Sequence, residues 1–186
     1  MYKVYFSSQN SFEDGRTMCS VASVLACVYI LGTKKNILTL ESSTFEFLMK
    51  HSNILFRTRF KRVGQRLFDV HDVISRIDLR KRFKEIVFSE FGGLTQNTPS
   101  DMKTDDCLDL SVFLQMIQDG DACTLTFKGH TNAFGKVGCF FWFFDSLDGI
   151  FAVSESKRFL LGKFSDALVC SDEYSAVVLK RKTTST

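Results

Sequence analysis

Gly129-His130-Thr131-Asn132-Ala133-Phe134-Gly135-Lys136-Val137-Gly138-Cys139-Phe140-Phe141-Trp142-Phe143-Phe144-Asp145 reads as one β-hairpin. Aromatic residues fill its second arm, and the glycines at 135 and 138 mark the turn. A turn centred between Val137 and Gly138 sets His130 directly opposite Asp145, on the same side of the sheet, at the open end of the hairpin. Cross-strand neighbours lie about 4.5–5.5 Å apart at Cβ, which suits a hydrogen bond between imidazole and carboxylate. Further strands are expected at residues 122–127, 150–154 and 175–180, with the two hairpin arms at 131–137 and 139–144.

Upstream of this region the pattern is helical. Residues 19–31, Cys-Ser-Val-Ala-Ser-Val-Leu-Ala-Cys-Val-Tyr-Ile-Leu, are apolar nearly all round, so they predict a central buried helix. Gly32 ends it, Lys34 and Lys35 suit its negative end, and Asp14 and Thr17 are its candidate N-caps. Residues 40–90 read as helical, with one apolar stripe from Phe45, Leu48 and Met49 and another from Leu67, Val70, Val73, Ile74 and Ile77. A loop at 92–104 precedes an amphipathic helix at 108–119, and an alternating strand at 2–6 opens the chain. Helices first and a meander last predict an α+β fold, a helical lobe packed on a C-terminal antiparallel sheet, in one domain over residues 1–186.

Composition narrows the class. With 45% apolar residues and 20 Phe in 186 residues, the chain can bury a sizeable core. The net charge of +3 is small, and the basic runs at 57–62 and 80–82 read as solvated helix faces, so no nucleic-acid partner is expected. The longest apolar run, 21–31, falls short of the ~20 residues of a membrane span. No signal peptide is read at the N-terminus, no CxxC pair suggests zinc, and Cys27, Cys107, Cys123 and Cys139 lie in apolar runs where cysteine packs as a small hydrophobe. A reduced, intracellular, cytoplasmic monomer without metal or cofactor is expected.

Three residues can carry chemistry together. A free thiol has a pKa near about 8.5, and a helix N-terminus favours its thiolate. Cys19 stands at that end of the buried helix, whereas Cys27 lies two turns inside. His130 takes the thiol proton and Asp145 holds the imidazole, the arrangement that nucleophilic acyl transfer requires. An oxyanion hole needs donors fixed in advance. The Cys19 backbone N–H supplies one, and a side-chain amide from the preceding loop supplies the other: Gln9, or alternatively Asn10. His51 and His71 read as surface histidines.

The motifs resemble those of the deubiquitinating cysteine proteases found at the N-terminus of herpesvirus large tegument proteins. Gln9 followed by Asp14-Gly15-Arg16-Thr17-Met18-Cys19-Ser20 is similar to that family's nucleophile segment. Asp106-Cys107-Leu108-Asp109-Leu110 is similar to its central helix, Phe143-Phe144-Asp145-Ser146 to a strand end, and Glu173-Tyr174-Ser175-Ala176-Val177-Val178-Leu179 to its last strand. In that family the catalytic His lies two residues after the Asp, a position held here by Leu147, so His130 fills the role in a papain-like placement. The resemblance implies a papain-like fold, ubiquitin or polyubiquitin as substrate, and cleavage after its C-terminal glycine. It also implies carboxylates for the arginines of the ubiquitin tail, with Asp105, Asp106 and Asp109 as candidates, and apolar contact from residues 45–75. Two other readings stay open: a different Cys–His–Asp acyl transferase, and a catalytically inactive ubiquitin-binding module.

Overall fold

A single antiparallel sheet of seven strands organises the computed structural model, which describes residues 1–13, 15, 18–33, 35–60, 70, 73, 86–91, 110–165 and 174–181. The strands are β1 (Tyr2–Tyr5), β2 (Ile86–Phe91), β3 (Asp121–Phe127), β4 (His130–Val137), β5 (Phe140–Asp145), β6 (Ile150–Ser154) and β7 (Tyr174–Arg181). Their spatial order is β1-β6-β5-β4-β3-β7-β2. The meander from β3 to β6 was legible in its short β-forming runs set between turn residues. The sheet is not purely C-terminal, however: β1 extends one edge by pairing with β6, and β2 extends the other by pairing with β7. All of β2 but Phe91 falls in the stretch, residues 40–90, that was expected to be helical. The strand's Ile-Val-Phe start is β-forming, and pairing with β7 decides the matter.

Four helices accompany the sheet among the described residues: α1 (Cys19–Gly32), α2 (Ser42–Leu55, continuing into a π turn at Phe56–Phe60), α3 (Leu110–Met116) and α4 (Arg158–Lys163). Side chains of β5 explain why both faces are covered. Trp142 and Phe144 point to one face, where they join Val21, Val24, Cys27, Phe45 and Met49 of α1 and α2. Phe141 and Phe143 point to the other, where they join Leu114 of α3 and Leu160 and Phe164 at α4. A strand apolar on both sides must be buried on both sides. Sequence reading missed α4, whose apolar Leu160 and Phe164 sit four residues apart. It placed α3 correctly but carried it past Met116, where the helix ends.

Helix α1 is buried along its length, as its composition predicted. Its caps differ from expectation. Met18 occupies the N-cap position and makes no side-chain cap hydrogen bond, while Thr33 caps the C-terminus and Gly32 remains helical. Asp14, Thr17 and Lys34 lie outside the described residues, as do His71, Cys107, Cys170, residues 92–109 and most of the 67–77 stripe; Val70 and Val73 of that stripe are buried. Cys139 was expected in the core but is exposed, because it sits in the tip of the β4–β5 hairpin. No helix among the described residues is long and apolar enough to cross a membrane.

That hairpin turns one position later than predicted. Val137 pairs with Phe140, so Gly138 and Cys139 form the loop, and Gly138 adopts a φ of +60°. A two-residue loop with positive φ at its first position has the type II′ pattern that glycine favours. Gly135 does not mark the turn at all. It lies within β4, where a Cβ would come within 2.1 Å of the Asp121 carbonyl oxygen. Both glycines read alike in sequence, but one serves a turn and the other a close approach of backbones.

The loops that carry the site are pinned at β1. Phe6 N–H donates to the Gly149 carbonyl, and the Phe6 ring stacks on Phe45 and Phe144 at 5.3 Å each. Gly149 has a φ of +62°, and a Cβ there would meet Phe6 O at 2.2 Å. Gly149→Ala should therefore destabilise the fold by about 1–3 kcal/mol, for both the left-handed backbone and the clash. A thermal melt checks this; an unchanged melting temperature would show that the loop gives way freely.

Candidate active site

The positive end of α1, the start of β4 and the end of β5 converge on one point. Cys19 is the first residue of α1 and is only 2% exposed. Its thiol interacts with the His130 side chain and with the backbone and hydroxyl of Thr131. Beneath it, Ser20 Oγ lies 3.1 Å from Thr131 Oγ1, and Ser23 Oγ donates to the Thr131 carbonyl at 2.9 Å. These buried polar contacts tie the first turn of α1 to the strand that begins with His130.

His130 Nε2 lies 2.9 Å from Asp145 Oδ1. The contact exists despite the later turn. Ala133 pairs with Phe144, and carried one residue on, this register sets Asn132 rather than His130 level with Asp145. Moving the turn by one residue shifts cross-strand partners by two, so His130 stays on the same face as Asp145. The pair is diagonal, a separation of about 7–8 Å between backbones that long side chains can span. Asn132 Nδ2 sits 3.1 Å from the same ring nitrogen, a neighbour that sequence reading missed. Its signal was position, two residues after His130 on one strand face. Nε2 has one in-plane site, and the anionic carboxylate takes it in preference to a neutral amide. With Nε2 engaged, Nδ1 is the ring nitrogen left for the thiol.

Asp145 is held from its other side by an Asx turn. Its Oδ1 also accepts the backbone N–H of Leu147 at 2.8 Å and of Asp148 at 3.2 Å. These two backbone donors orient the carboxylate. Burial raises the Asp145 carboxyl, but His130 and these two backbone donors outweigh it and lower the pKa. Burial works against charge on His130 as well, yet the hydrogen bonds to Asp145 and Cys19 and their charges raise it to about 9. For Cys19, burial pushes up while His130 and Thr131 pull down, and the net shift is downward. Cys27, deep in α1, is pushed strongly up by burial. Of these two cysteines, only Cys19 is shifted toward the thiolate.

The sign of the pH response follows. A raised imidazole pKa keeps His130 cationic up to about pH 9, with the thiolate as its partner. Asp145→Asn removes the carboxylate's share of that rise, so the ring should lose its proton at lower pH. Titration of the His130 ring resonances by NMR checks this. An unshifted titration in the variant would contradict the assigned cause.

Gln9 is brought to the same end of the molecule. It is 2% exposed, its N–H donates to Ser146 O at 2.7 Å, and Ser146 Oγ donates to its Oε1 at 2.7 Å. Gly15 packs against its main chain so closely that a Cβ would stand 1.5 Å from Gln9 O. Asn10, the alternative amide, is exposed, and its backbone N–H donates to Ser8 Oγ. His51 is an exposed histidine stacked on Phe47. Asp105, Asp106 and Asp109 lie outside the described residues.

Among solved structures, the chain is similar to the ubiquitin-specific protease encoded by murine cytomegalovirus tegument protein M48, determined in complex with a ubiquitin-based suicide substrate. The TM-score is 0.60 at 14% identity, covering 100% of this chain and 89% of that one. The fold is accordingly α+β and papain-like, the fold of cysteine proteases. The Pseudomonas avirulence protein AvrPphB aligns more loosely, with a TM-score of 0.42 at 15% identity over 93% of this chain and 100% of that one. No protein-family model and no curated protein matches the chain.

Proposed function

We propose that the protein is a deubiquitinase, a cysteine protease that hydrolyses ubiquitin conjugates after their C-terminal glycine. The observation that carries this reading is the meeting of a thiol at a helix N-terminus with an imidazole anchored by a carboxylate. In this mechanism the Cys19 thiolate attacks the glycine carbonyl carbon, and the electron pair moves to oxygen. The Cys19 N–H and the Gln9 amide stabilise that oxyanion. Collapse of the intermediate expels the lysine amine, which takes its proton from His130. His130 then draws a proton from water, whose oxygen attacks the thioester and releases the ubiquitin carboxylate and the Cys19 thiol. Asp145 keeps the ring in one tautomer throughout.

The choice of ubiquitin is supported by the tegument protease of similar fold, whose bound partner is ubiquitin-based. The same reading takes the protein as a monomer acting in the cytoplasm, where a nucleophilic thiol stays reduced. Ubiquitin carrying a C-terminal electrophile, tested beside related modifiers, examines the proposal. Covalent labelling by the ubiquitin probe at Cys19 is expected. Labelling by another modifier alone would reassign the substrate, labelling at Cys170 would reassign the nucleophile, and binding without labelling would favour an inactive ubiquitin-binding module.

A further inference from the structure

We propose that Ser146 is a positioning residue that decides which end of the Gln9 amide faces the reaction; the inference rests on the oxyanion role proposed for Gln9. A primary amide has an acceptor end and a donor end of nearly the same shape. Only the donor end stabilises an oxyanion, and a reversed amide would set oxygen lone pairs against the developing charge. Something must therefore select the orientation. Ser146, 0% exposed, does so from the side: its hydroxyl donates to Gln9 Oε1 at 2.7 Å and so occupies the acceptor end. The NH2 group is left to face elsewhere.

The main chain completes a two-point clamp, since Ser146 O accepts the Gln9 N–H at 2.7 Å. Ser8 Oγ, one residue before Gln9, donates to the carbonyl of Leu147, one residue after Ser146. Ser146 also directly follows Asp145. One turn therefore registers both halves of the site, holding the imidazole through Asp145 and the amide through Ser146. Sequence reading assigned Ser146 no role in the site.

Ser146→Ala removes the hydroxyl but keeps the backbone half of the clamp, so the loop stays in place. The experiment compares wild type, Ser146→Ala, Ser146→Thr, Gln9→Ala and the Ser146→Ala/Gln9→Ala double variant. Each is assayed with ubiquitin bearing a C-terminal fluorophore, by burst acylation with p-nitrophenyl acetate, and by alkylation of Cys19 with iodoacetamide. Gln9→Ala should lower kcat about 10²-fold and Ser146→Ala about 10-fold, with KM changed by less than about 2-fold. The double variant should be no slower than Gln9→Ala, and Ser146→Thr should recover most of the loss. Alkylation develops no oxyanion and should be unchanged throughout.

Losses that multiply in the double variant, alkylation that falls with kcat, or a Ser146→Ala enzyme as fast as wild type would each overturn the role. A wild type that acylates with the ester but ignores ubiquitin would remove the substrate reading alone, and the ester arm would still decide on Ser146. A wild type inert to both would overturn the two together.

Discussion

Cys19→Ala is expected to abolish hydrolysis of ubiquitin conjugates, a loss of roughly 10⁵- to 10⁶-fold in kcat, because the nucleophile's contribution is lost together with that of the groups that serve it. The remaining rate would come from binding and the oxyanion donors alone. The substitution is small: a thiol is replaced by hydrogen at the first residue of a helix that Ala suits well. The variant should thus fold and still bind ubiquitin without reacting. Fluorogenic ubiquitin hydrolysis measures the loss, and calorimetric titration with ubiquitin measures the binding that persists. Hydrolysis at the wild-type rate would exclude Cys19 as the nucleophile.

His130→Ala is expected to cost nearly as much, on the order of 10³- to 10⁵-fold at neutral pH, but with a different pH signature. Burial pushes the Cys19 thiol up, and His130 supplies the first of the contacts that bring it down. Without the ring, the thiol should ionise only at higher pH, so alkylation by iodoacetamide at pH 7 should fall steeply and recover as pH rises. The wild type should instead react from lower pH, where the His130 cation supports the thiolate, and keep reacting after the ring loses its proton near pH 9, because a thiolate needs no imidazolium to be alkylated. The pH profile of Cys19 alkylation separates the two. An identical profile in the variant would show that His130 has no part in activating the thiol.

Much of the fold was legible. The strands from β3 to β6 follow their short β-forming runs between turn residues, and α1 follows an apolar run of helix length. What misled was the isolated local signal. Ile86–Phe91 looked like a helix continued, yet a partner strand from the far end of the chain makes it an edge strand. Gly135 and Gly138 looked equivalent, although only the neighbouring backbone shows which one forms the turn.

The site divides in the same way. Sequence alone determined which side chains carry a thiol, an imidazole and a carboxylate, that Cys19 opens a helix, and that His130 and Asp145 share a sheet face, since a shift of two in register preserves the face. Tertiary structure decided the diagonal contact between them, the Asx turn that holds Asp145, the Asn132 flank, and the clamp of Ser146 on Gln9. Those contacts depend on where distant segments end in space, to within the reach of a hydrogen bond. Periodicity reports the direction of a side chain but not its distance from a residue more than a hundred positions away.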